Sequence, residues 1–156
     1  MGGMTQSAVR RRKPPEERRA EILSTASALA SAEGPTPLDR LRALLASLIG
    51  HERDGVSLLW LDAWSAFRHR AGLAAEVNRQ MAVDKQRLGD LIADGVAEGQ
   101  FHTADPTASA ARIYAVIDGL AVLAAVGPDV DYTAVRDLVF TNAERELGVA
   151  AGGLHP

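Results

Sequence analysis

The stretch "LGDLIADGVAEGQFHTADPTASAARIYAVIDGLAVLA", Leu88 to Ala124, decides the fold class. Leu88, Leu91, Ile92 and Val96 recur three or four residues apart, the period of one face of an α-helix. "GQFHTADP" then interrupts the pattern. Asp105 is placed to cap a new helix, and Pro106 fits its first position, where a missing N–H is harmless. Thr107–Val126 is apolar almost all round, which predicts a helix buried on more than one side.

The same period extends in both directions, and no segment alternates like a strand. Downstream, "GPDVD" turns the chain into Thr133–Leu147, which carries Val135, Leu138, Val139 and Leu147. Its short connection to the preceding helix predicts antiparallel neighbours. Upstream, Leu73, Val77 and Met81 continue the pattern, as one bent helix or two that break near Val83–Asp84. Before that, Val56–Ala71 sets Trp60, Trp64 and Phe67 on one face. "PTPL" supplies Thr36 as a cap and Pro37 as a first helical residue, followed by a stripe of Leu38, Leu41, Leu45 and Leu48. Pro14-Pro15 opens the earliest helix, with Glu16 and Glu17 in its first turn and Gly34 at its end. The expected architecture is an all-α bundle of six or seven helices. Its expected parts are a basic disordered arm (1–14), a first helix (15–34), a helical domain (35–149) and a loose tail (150–156).

Charge is unevenly spread. The 156 residues sum to −3, yet Arg10, Arg11, Arg12, Lys13, Arg18 and Arg19 are six of the 17 basic residues. With these six and with Glu16 and Glu17 set aside, the body keeps 11 positive against 18 negative charges, a balance of −7. A polyanion would therefore meet the first twenty residues, not the body. The plain alternative is a solvated basic tail.

Several chemistries are excluded. There are no cysteines, hence no disulfide and no thiolate ligand or nucleophile. His51, His69, His102 and His155 show no metal-ligand spacing, and "HERD" at His51 reads as a solvated loop. G-x-S-x-G, Walker and dinucleotide-binding glycine patterns are all missing, so neither an enzyme nor a bound cofactor is expected. The most apolar run, Ile113–Gly127, contains Asp118 and is too short to span a membrane. The first residues lack the apolar core of a secretory signal. A soluble, cytoplasmic protein is expected.

The order of these features resembles the tetracycline-repressor (TetR) family of transcriptional regulators. "RRRKPPEERRAEILSTASALASAEG" is similar to the basic arm and first helix of that family, through Arg19, Ile22, Leu23, Ala26, Leu29, Glu33 and Gly34. The remainder resembles its effector-binding and dimerisation domain, through Trp60 and Trp64, Gly95, Gly99 and Phe101, Asp105 and Pro106, and Asp118, Gly119 and Leu120. One part of the family pattern is missing. A helix-turn-helix would follow Gly34, whereas this chain proceeds directly to Pro35-Thr36-Pro37. The recognition helix places side chains against base edges. Without it, the six basic residues could engage phosphates but not read bases, at on the order of 10⁻⁴–10⁻⁶ M.

Trp60, Trp64 and Phe67 read most simply as core. The resemblance adds the wall of a pocket for a small apolar or amphipathic effector, with Met81, Tyr114 and Ile117 facing the same space. Asp118, within an apolar helix, is expected to tie two helices together by hydrogen bonds. The resemblance further implies a homodimer through the last two helices, with Ala111, Ala115, Leu120, Leu123, Val135, Leu138 and Val139 at the interface. An internal hairpin within a monomer is the plainer reading of the same pattern. Resemblance and gap together imply a TetR-like regulator reduced to sensing and dimerisation, able to form mixed dimers with an intact homologue. Two rivals are a freestanding small-molecule binding module and an inactive remnant of an internal deletion.

Overall fold

The computed structural model describes residues 34–48, 71–126 and 131–155. Within them the chain forms four helices: α1 (Pro37–Leu48), α2 (Ala71–Ala97), α3 (Pro106–Val126) and α4 (Tyr132–Leu147). No strand occurs among the described residues. The helices expected over 15–34 and 56–71 lie outside them, apart from Gly34 and Ala71.

The starts of α1, α3 and α4 follow from local chemistry. Thr36 Oγ1 accepts the Asp39 N–H at 3.2 Å and donates to Asp39 Oδ2 at 2.7 Å, closing the first turn of α1 behind Pro37. Gln100, on the α2–α3 loop, accepts the Leu38 N–H at 2.9 Å, so a second orphan donor of α1 is satisfied from a distant segment. Asp105 accepts the Ala108 N–H at 2.9 Å to cap α3. Asp131 does the same for α4 through Thr133 and Ala134.

The ends are equally specific. At the end of α2, the Gln100 N–H donates to Gly95 O and the Gly99 N–H to Val96 O, with Gly99 at φ +73. This is the paired 6→1 and 5→2 closure that a left-handed glycine permits. It turns Phe101 back onto the helix it has just left, where the ring is 1% exposed. A Cβ on Gly95 would overlap the Phe101 ring at Cδ2. The spacing Gly95-x-x-x-Gly99-x-Phe101 is thus a single device, a bare helix surface, a reversal, and the ring that fills the bare site. Gly148, at φ +60, ends α4 similarly, and its missing side chain admits His102.

α2 is continuous through Val83 and Asp84, so the single-helix alternative holds. It runs antiparallel to α3, with Gly89 against Thr107 and Ala110. Leu41, Leu44 and Leu45 bring α1 into a core shared with Leu88, Ile92, Ile113, Ile117, Phe140 and Leu147. Burying each such leucine is worth about 1.5–3 kcal/mol. Residues 150–155, for which the sequence predicts a loose tail, fold back on this core. Leu154 is fully buried and its N–H donates to Glu144 Oε1 at 3.0 Å. Arg42 of α1 donates to Gly153 O at 2.7 Å.

Two glycines of α2 should respond oppositely to alanine. At Gly89 a Cβ meets its nearest neighbour at 3.8 Å, an ordinary contact. Gly89→Ala should therefore gain up to about 1 kcal/mol from helix propensity and a less flexible unfolded chain. Gly95→Ala should lose about 1–3 kcal/mol, because the buried Phe101 ring must move. Denaturant melts of the two variants check the opposite signs.

Candidate functional site

The middle of α2 and of α3 carries a mixed wall of apolar and ionisable side chains. The α2 stripe that begins with Met81 and ends with Leu88 and Ile92 has Asp84 in register with it. Tyr114 and Ile117 are buried on α3, Met81 is half-buried, and Asp84 is only 8% exposed. Asp84 accepts from Gln80 Nε2 at 3.0 Å, and Arg87 lies 3.9 Å away. Asp118 is half-buried on α3, one turn beyond Tyr114.

Both carboxyls are pushed above the usual carboxylate range by burial. At Asp84 this is opposed by the Gln80 hydrogen bond and Arg87. At Asp118 it is opposed by the Lys85 ammonium alone among the described residues. Asp118 thus links α3 to α2 electrostatically, through Lys85, and no hydrogen bond of its carboxylate occurs among the described residues. Asp84 belongs to the same wall, and its sequence signal is a charge within an apolar stripe.

Of the residues expected to form a pocket, Met81, Tyr114 and Ile117 lie on this wall, while Trp60, Trp64 and Phe67 lie outside the described residues. So do Arg10, Arg11, Arg12, Lys13, Arg18 and Arg19. No group of three or more potential metal ligands converges among the described residues. No helix among them is long and apolar enough to cross a membrane.

The outward faces of α3 and α4 form a second feature. Ala111 and Ala115 are exposed, Leu123 is 61% exposed and Leu138 59%, whereas Leu120 and Val139 are buried in the chain's own core and Val135 is half-buried. The two helices are clamped by Arg112 Nε, which donates to Glu146 Oε2 at 2.7 Å.

Residues 37–148 match the family model of the BetI-type transcriptional repressor C-terminal domain. No curated protein and no solved structure matches the chain.

The buried carboxylates make a pH prediction. A carboxyl whose folded pKa is raised binds more protons folded than unfolded, so stability falls as pH rises above the ordinary carboxylate value of 3.8. Asp118→Asn removes that penalty. Its melting temperature should exceed the parent's at pH 7, with the advantage shrinking as pH is lowered toward 3.8. A variant that melts lower at pH 7 would show that the charged form has a stabilising partner.

Proposed function

The chain belongs to the TetR family through a BetI-type repressor C-terminal domain, and on that premise we propose that it is a transcriptional regulator reduced to its sensing and pairing domain. The observation that carries this reading is the junction at Gly34. Only Pro35 and Thr36 separate Gly34 from α1, and Thr36 is itself the cap of that helix. Two helices of a helix-turn-helix have no place there. On this reading residues 15–34 are a stranded first helix, 56–71 a further helix and 1–14 a basic arm. This gives a six-helix chain in all.

The effector is a small apolar or amphipathic molecule, with Trp60, Trp64, Phe67, Met81, Tyr114 and Ile117 as the proposed lining of its pocket. A largely apolar lining with a few polar groups suits such ligands. The protein senses rather than catalyses. It acts in the cytoplasm as a homodimer through α3 and α4, whose exposed leucines support a covered face. It would pair with an intact homologue in the same way, leaving that partner one DNA-reading head. The abrupt junction equally favours a second reading, a small-molecule binding module with no transcriptional role.

Thermal-shift screening and DNA titration test both. A saturating effector at about one hundred times its dissociation constant should raise the melting temperature by roughly 5–10 °C, and Trp64→Ala should abolish the shift. Duplex DNA should bind without sequence preference, and its affinity should fall with a log–log salt slope no steeper than about −5. Nanomolar binding to one DNA sequence in excess competitor would refute the loss of readout. Ligand binding without capture of DNA-binding homologues would favour the second reading.

A further inference from the structure

α4 carries five charged residues, Arg136, Asp137, Glu144, Arg145 and Glu146. Three are engaged within the chain. Arg136 lies over the Phe140 ring, Glu144 holds the Leu154 N–H, and Glu146 takes Arg112. The two left over, Asp137 and Arg145, have opposite signs, are both exposed and have no side-chain hydrogen bond or ion pair among the described residues. They are eight residues apart with Thr141 midway, so the three form one row along the helix. The separation along the axis is about 12 Å, too far for the two to pair with each other. The row runs beside Leu138, which is 59% exposed, on the side of α4 turned away from the core residues Val139, Phe140, Ala143 and Leu147.

We propose that this row sets the register and the partner choice of a twofold dimer, in which α4 packs antiparallel against α4 of a second copy. A twofold axis beside Thr141 places Asp137 of each copy against Arg145 of the other, because a row with opposite charges equidistant from its midpoint is complementary to itself. Leu138 is covered in the same contact. The charges supply selectivity, since a partner with like charges at these positions meets two repulsions. The inference rests on the dimer proposed under the function, and names the charges that specify it.

The test uses full-length Asp137→Arg and Arg145→Asp variants, each alone, mixed, and combined in one chain. Dissociation constants are measured by sedimentation at low salt, and helical circular dichroism confirms folding. Each single variant places like charges across the axis and should dimerise roughly tenfold or more weakly than the parent. An equimolar mixture of the two should form heterodimers of near-parental affinity, because every cross-axis pair is again opposite in sign. The double variant should recover a homodimer that excludes the parent chain.

A parental dimer whose single variants dimerise undiminished, or whose mixture does not recover, would overturn the charge register and leave the dimer standing. A parent that stays monomeric at all concentrations would overturn the dimer itself, and the register with it.

Discussion

The described helices depend on one corner. The close of α2 brings Phe101 down on Gly95, and this succeeds only because Gly95 has no side chain. Three further attachments come from the same short loop. Gln100 satisfies the first turn of α1, the His102 N–H donates to Leu147 O at the end of α4 at 2.7 Å, and Asp105 starts α3. One loop therefore addresses every described helix. Displacing Phe101 would loosen an α1 cap and an α4 terminus as well as a core ring. A residue at position 95 acts on all of them without touching most of them.

Much of this was legible because glycine, proline and aspartate are strong punctuation. Pro37 and Pro106 are first residues of α1 and α3, as expected, and Thr36 and Asp105 are their caps. The 3.6-residue period identifies the helices but not how they face one another. α3 shows why. Its sequence is apolar nearly all round, yet within the described residues its buried side runs through Ala110, Ile113, Tyr114, Ile117 and Leu120, and Ala111 and Ala115 point outward. Periodicity cannot rank two apolar faces. The same blindness affects the tail, where "AAGGLHP" offers a single large apolar side chain. What holds it is long-range: Leu154 fills the core, while Arg42 and Glu144 hold its backbone.

The ionisable wall was half legible. Asp118 stands out as a charge in an apolar helix, and Asp84 has the same signature in a helix whose polar face is long enough to hide it. Burial raises both carboxyls, so each makes the folded state less favourable at neutral pH than an uncharged isostere would. The basic residues that oppose this, Arg87 and Lys85, come from α2. In the proposed site, a polar patch of this kind beside Tyr114 and Ile117 would give an otherwise apolar lining a direction. It would orient an amphipathic molecule where hydrocarbon alone would only hold it.

The two functions proposed for α3 then require opposite faces of one helix. Tyr114 and Ile117 are buried in the core, while Ala111, Ala115 and Leu123 look away from it. A rigid helix sharing both faces transmits a shift: a molecule that pries α2 from α3 must either bend α3 or carry its outer face along. α4 is bound to that movement at two points, the Arg112–Glu146 bridge and the His102–Leu147 hydrogen bond. Occupancy of the inner wall would accordingly alter the geometry with which α4 meets a second copy. Sensing and pairing would be linked through packed helices.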